Sequence, residues 1–360
     1  MAGGVVRTRF AASTDCALDA GSARVALANW RFARENSGAF ILHIDKTKEE
    51  RLIGDLLWLG IGWDEGPDLG GDHGPYRHAE RREIYDRFTQ YLLDQGRAYY
   101  CFCASETCSG RCATIARVVA ASRRGRGEAS AIRLRVPADV AGGDVLLMLS
   151  DVQPSASFTL VIDDVQMKIT HVFGNAAYSA KEIAIFQALG FDPPVVTVMP
   201  SISGPSIAQL RETGVLPEAL TKYLSQPDLS AFDDEALYAI NHDCLQQADP
   251  ARILSLARVY FPHAALHPDW LASVIALLLP TIDCLSQLPS RAAVIFNYDP
   301  AVARKILKSK PETDRERIAI TGQATELDLD KLVQILEAGA TRGLVMGPEE
   351  RKEKFMAAAS

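Results

Sequence analysis

Within the first sixty residues the apolar pattern switches repeatedly between a strand-like and a helix-like period. That alternation limits the fold more than any other feature of the 360-residue chain. Residues 5–10 (VVRTRF) are β-rich, and residues 22–35 place Val25, Leu27, Trp30 and Phe32 among the apolar positions of a helix. Residues 39–44 (AFILHI) read as a second strand, and residues 48–59 return to a helical repeat that Gly60 closes. Strand, helix, strand, helix predicts a parallel sheet covered by helices, hence an α/β fold. A Gly/Asp/Pro-rich loop (residues 64–75) leads to a long charged helix over residues 78–95 and then to a cysteine-bearing segment. A basic loop at residues 123–127 (RRGRG) and a strand-like stretch at 131–136 follow. β-rich character returns over residues 158–170 and helical character over 180–189, so an insertion interrupts the first layer. Beyond residue 205 the chain reads as helices joined at Pro227, Pro250, Pro262, Pro268 and Pro289.

A net charge of −7, from 38 Lys and Arg against 45 Asp and Glu, argues against a DNA-coating protein. It leaves room for a local RNA-binding face. The longest apolar run, residues 271–279, ends at Pro280 and falls far short of the roughly 20 residues a membrane span needs. Residues 1–10 carry two arginines with no apolar stretch behind them, so no secretory signal is expected and a cytoplasmic location is. Four of the seven cysteines, Cys101, Cys103, Cys108 and Cys112, fall within twelve positions. In such a compartment that clustering favours a metal over disulfides, four reduced thiols being the plain alternative.

Several ordered blocks then spell out a family. Arg7-Thr8-Arg9-Phe10-Ala11, Gly21-Ser22-Ala23-Arg24, Trp58-Leu59-Gly60 and residues 64–81 (DEGPDLGGDHGPYRHAER) come first. Residues 98–103 (AYYCFC), 131–137 (AIRLRVP), Asp163-Asp164, 169–172 (ITHV) and 216–220 (LPEAL) continue the series. The chain resembles the glutamyl-tRNA synthetases, class I enzymes, over roughly residues 5–225, and is related to the glutamyl-queuosine tRNA synthetases. The resemblance implies a Rossmann-like catalytic domain, discontinuous over residues 1–99 and 157–200, with a small zinc-bearing acceptor-end insertion over 100–156. A stem-contact helical segment (201–250) and an all-α C-terminal domain (251–360), shorter than the family's, would follow.

The resemblance also assigns residues to a site. Arg9, Ala11 and Ser13 would surround a bound glutamate, and Asp45 would hold its amino group. For Arg9 a surface charge at a strand end is the competing reading. The aromatic position before Asp163-Asp164 falls at Ala156, and the arginine expected after His171-Val172 falls at Gly174. Losing that arginine removes the bidentate partner of a side-chain carboxylate. Of the family's His-rich ATP turn, only Gly21 and Ser22 remain, with Asp19 where the first histidine would stand. A carboxylate about 4 Å from a phosphate is repelled by roughly 4 kcal/mol per charge at an effective dielectric near 20, so Asp19 reads as a helix N-cap. The mobile Lys-x-Ser-Lys loop has no counterpart, since no lysine lies between Lys181 and Lys222 and the nearest cation is Arg211. Cys101, Cys103, Cys108 and Cys112 fall on the family's zinc ligands, four soft donors that suit a structural Zn²⁺. Arg117, Arg123, Arg124 and Arg126 form a basic patch beside them, suited to phosphate contacts or equally to a solvated loop.

The reading that follows is a degenerate paralogue that has lost ATP-dependent aminoacylation and binds tRNA, another RNA or a protein partner, but not DNA or a membrane. The alternatives are an active glutamate–tRNA ligase using ATP and Mg²⁺ through unorthodox phosphate contacts, and a small-molecule-binding or assembly subunit without RNA binding. Scaffold alone does not choose between them.

Overall fold

The computed structural model describes residues 5–12, 17–44, 49–103, 111–136, 143–149, 153–262, 267–323 and 325–358. It divides into two compact units, residues 1–207 with 227–232, and residues 208–226 with 233–360.

The first unit opens with β1 (Arg7–Ala12), α1 (Ala20–Glu35), β2 (Ala39–Ile44) and α2 (Glu49–Trp58). β1 and β2 pair in parallel, Arg7 opposite Ala39 through Ala12 opposite Ile44. Nearly every side chain of β2 is buried, as expected of a parallel strand covered on both faces. α1 turns its small residues Ala20, Ala23, Ala26 and Ala33 inward, which lets the helix approach the strands closely. Asn29, fully buried, ties it there: its amide nitrogen donates to the Phe173 carbonyl, and its oxygen accepts from the Phe173 N–H.

Next come α3 (Arg82–Asp94), β3 (Ala98–Cys101), α4 (Arg117–Gly125), β4 (Ala131–Leu134), β5 (Val145–Leu149) and β6 (Gln153–Pro154). These four strands form an antiparallel sheet in chain order. α5 (Ala156–Gln166), β7 (His171–Gly174), α6 (Ala180–Leu189) and β8 (Val195–Val198) return to the parallel layer, where β7 pairs with β8. Arg7 and Thr170 exchange hydrogen bonds, joining β1 to the start of β7. α6 begins with a Ser179/Glu182 capping box and ends at Gly190, which takes the left-handed conformation at φ +79°.

Three expectations are corrected. The charged segment 78–95 is a 3₁₀ turn (His78–Glu80) followed by α3, broken at Arg81, whose buried guanidinium is held by Asp163 and the Pro75 carbonyl. Residues 123–127 are not a loop from their start, because Arg123 and Arg124 stand in the last turn of α4. The β-rich stretch 158–170 is mostly α5. Its valines and isoleucine favour a strand locally, but Ser155 caps a helix there and Phe158, Val161 and Ile162 pack into the core beside Leu92 and Leu147.

The second unit is helical. α7 (Ile207–Glu212) begins at the division, followed by α8 (Pro217–Leu224), α9 (Asp234–Gln247), α10 (Pro250–Ala257), α11 (Pro268–Leu278) and α12 (Leu288–Phe296). α13 (Pro300–Leu307), α14 (Arg315–Thr321), α15 (Leu329–Ala340) and α16 (Pro348–Ala357) complete it. Proline at the first turn of several of these helices explains why the joints were visible as Pro-rich. Among the described residues no single helix is long and apolar enough to cross a membrane.

Candidate functional site

At the C-terminal end of β1, a cavity of about 440 Å³ opens between Arg9, Ala11, Phe173, Gly174, Tyr178 and Glu182. Arg9 and Ala11 alternate along β1, and both reach it. Ser13 and Asp45 lie outside the described residues. Ala156, at the first turn of α5, does not line the cavity; the aromatic groups that do are Phe10, Phe173 and Tyr178. Gly174 leaves that part of the wall without a side chain.

Arg9 is not a free cation. Its Nε and Nη2 grip Asp164 at 2.5 and 3.1 Å, and the Tyr178 hydroxyl donates to the same carboxylate at 2.6 Å. Burial pulls the Arg9 guanidinium down, but the Asp164 carboxylate outweighs it and holds Arg9 above its ordinary value. Burial, reinforced by Asp164, pushes the Tyr178 hydroxyl well up, so it stays a proton donor. Neither Tyr178 nor the Arg9–Asp164 pairing is suggested by sequence spacing, because 155 residues separate the two partners.

The N-terminus of α1 carries Asp19, Gly21 and Ser22, the residues the resemblance assigns to the family's ATP turn. The Asp19 carboxylate caps it, accepting from the Ser22 N–H at 2.7 Å. Residues 202–207 lie across the same turn. The Ala20 N–H donates to the Pro205 carbonyl at 3.0 Å, the Ile207 N–H donates to the Leu18 carbonyl at 2.8 Å, and Asp19 pairs with Ser206 as an isolated bridge. Gly21 is required by this contact, since any Cβ there would collide with the Ile202 carbonyl. Residues 202–207 are therefore seated on the N-terminal end of α1, a kind of position that otherwise favours anions.

Beyond β3, Cys101 and Cys112 are buried and Cys103 is half-buried, with their sulfurs all within 4.8 Å of one another. Cys103 Sγ and Cys112 Sγ are 3.6 Å apart. Two sulfurs on one tetrahedral zinc, at Zn–S of about 2.3 Å, would lie roughly 3.8 Å apart. The three thiols thus fit a shared zinc ion; Cys108 lies outside the described residues. The neighbouring arginines have partners of their own. Arg123 stacks on Phe102 at 3.9 Å and pairs with Glu128. Arg124 stacks on Tyr100 at 4.2 Å, Arg117 pairs with Asp94, and Arg126 reaches the Ser122 hydroxyl.

The fold is that of the class I aminoacyl-tRNA synthetases, and residues 5–133 match the family described as tRNA synthetases class I (E and Q), catalytic domain. The glutamate–tRNA ligase of Natranaerobius thermophilus is 31% identical over 81% of this chain and 79% of its own length. That of Syntrophomonas wolfei is 36% identical over 61% of this chain and 56% of its own. The chain belongs to the glutamyl-tRNA synthetase family. A crystal structure of a glutamate tRNA ligase from Elizabethkingia meningosepticum in complex with its amino acid superimposes with a TM-score of 0.78 at 20% identity. The match covers 99% of both chains, a likeness of fold.

Proposed function

We propose that this chain is a paralogue within its family that has lost ATP-dependent aminoacylation and keeps the scaffold to bind tRNA. One observation carries the reading: the α1 N-terminus is already filled. Its cap is a carboxylate, and the Ala20 N–H is spent on Pro205. A triphosphate placed there would meet Asp19 instead of donors, and no lysine follows in residues 182–221 to offset the charge of departing pyrophosphate. The glutamate pocket supports the same reading, because Arg9 is neutralised by Asp164 and Gly174 supplies no second cation. The arginines of α4 and the cysteine-bearing segment, with zinc as structural cofactor, would face the RNA.

A second reading is an active glutamate–tRNA ligase using ATP and Mg²⁺. It is favoured by Arg9 and Ala11 still lining a cavity of amino-acid size. ATP–pyrophosphate exchange with purified protein, bulk tRNA and glutamate separates the two. The expected result is a signal no higher than the heat-killed control, for wild type and for Asp19→His alike. Exchange dependent on both glutamate and tRNA would overturn the proposal and establish the ligase.

A further inference from the structure

At the C-terminal end of β2 a second group of metal-competent side chains converges. His43 stands on β2, His78 on the 3₁₀ turn and Asp163 on α5, and one ligand atom of each lies within 4.8 Å of the others. His43 is 93% buried (7% exposed), and its Nε2 has no hydrogen-bond partner. It faces Asp163 Oδ2 at 3.6 Å, too far for a hydrogen bond. Two ligands of one zinc-like ion, at about 2.1 Å each, stand roughly 3.4 Å apart, so the gap is of the size an ion would bridge.

The surroundings fix how each group would present itself. Arg81 Nε donates to Asp163 Oδ1 at 2.6 Å, and Oδ2, which faces His43, accepts from the Tyr85 hydroxyl at 3.1 Å. The Tyr85 hydroxyl lies 2.9 Å from Asp163 Oδ1 and 2.9 Å from His78 Nδ1. A carboxylate–tyrosine–histidine relay of this kind orients a metal-binding imidazole. Arg81 and Arg9 are the nearby cations. The two guanidiniums are each matched by a carboxylate, Arg81 by Asp163 and Arg9 by Asp164.

We propose that His43, His78 and Asp163 form a second metal site, holding a divalent first-row transition cation through two imidazoles and one carboxylate. Nitrogen and oxygen donors of this kind select zinc- or iron(II)-type ions, in contrast to the all-sulfur set beyond β3. The bound ion would tie β2, the 3₁₀ turn and α5 together beside the cavity.

The test uses the full chain, reduced and stripped with chelator, titrated with Co²⁺ and followed both by equilibrium dialysis and by absorbance. Cobalt on thiolates gives a near-ultraviolet sulfur-to-metal charge-transfer band, whereas cobalt on the histidine site gives only weak visible bands. Wild type is expected to bind cobalt beyond what the charge-transfer band accounts for. His43→Gln and His78→Gln should weaken that extra binding at least about tenfold and leave the band intact. Should His43→Gln fail to fold, the half-buried His78→Gln carries the comparison, with far-ultraviolet circular dichroism confirming its fold. Cobalt bound only in step with the thiolate band, or bound equally well by a folded His78→Gln, would overturn the site.

Discussion

In the first unit, Arg9 and Arg81 are buried and Arg7 half-buried, each against one carboxylate from a distant part of the chain, Asp164, Asp163 and Glu65 respectively. On α4 and at its C-terminal cap, by contrast, Arg117, Arg123, Arg124 and Arg126 lie at or near the surface. Their partners are the exposed Asp94 of α3, the nearby Glu128 and Ser122, and the aromatic faces of Phe102 and Tyr100. The same side chain thus does two jobs. Where it is buried, its charge is already committed and its partner cannot be exchanged without leaving a desolvated ion. Where it is exposed, the pairing is worth little and can be traded for a phosphate at small cost. An arginine at the position a family uses for substrate does not therefore imply an arginine available to substrate.

The sharpest way to break this contrast is at the Arg9 pair. Asp164→Asn leaves the Arg9 guanidinium buried beside a neutral amide and is expected to destabilise the first unit by roughly 3–5 kcal/mol. Urea denaturation followed by tryptophan fluorescence measures it. A loss under about 1 kcal/mol would place the pair with the exposed ones.

A smaller effect is expected at Glu65, which joins Arg7 Nη1 at 2.7 Å and also accepts from the Tyr76 hydroxyl. Burial raises this carboxyl, but the hydrogen bonds from Arg7 and Tyr76 win and hold it below its ordinary value. A depressed folded value means the stabilisation is complete above the unfolded carboxyl's ordinary 4.5 and is lost as pH falls through the folded value. Glu65→Gln should therefore show a shallower decline in stability than wild type below pH 4.5, and should gain nothing at pH 7. Parallel declines would show that Glu65 is not part of the acid response.

How much of this could be read from the chain alone divides along the same line. Local signals were legible: β2 as an apolar run, Asp19 as a cap, the cysteine cluster by its spacing, and the second unit's helix starts by their prolines. α5 was not, because Val161, Ile162 and Val165 carry strand preference and only burial against Leu92 and Leu147 makes them helical. Nor were the pairings of Arg9 with Asp164 and Arg81 with Asp163, or the meeting of His43, His78 and Asp163. These contacts are made by folding across 35 to 155 residues, and no periodicity encodes them. The covering of α1 by residues 202–207 belongs to the same class: the lack of lysine in residues 182–221 was visible, the contact with α1 was not.

The smallest structural effect should accompany the clearest functional one. Arg123→Ala removes a stack on Phe102 and a solvent-facing pair with Glu128, so the thermal midpoint should not move measurably. If α4 faces a nucleic acid backbone, each arginine lost removes one phosphate contact. The slope of log affinity for bulk tRNA against log salt should then fall by about 1 per arginine. Replacing Arg123 and Arg124 together should double that change, because neither depends on the other for its place: one stacks on Phe102, the other on Tyr100. A variant with unchanged midpoint and unchanged slope would assign these arginines to solvent and move the search for the RNA-facing surface away from α4. A variant that instead lost stability would show that the stacks on Phe102 and Tyr100 hold the cysteine segment in place, and the division between committed and exchangeable arginines would have to be redrawn.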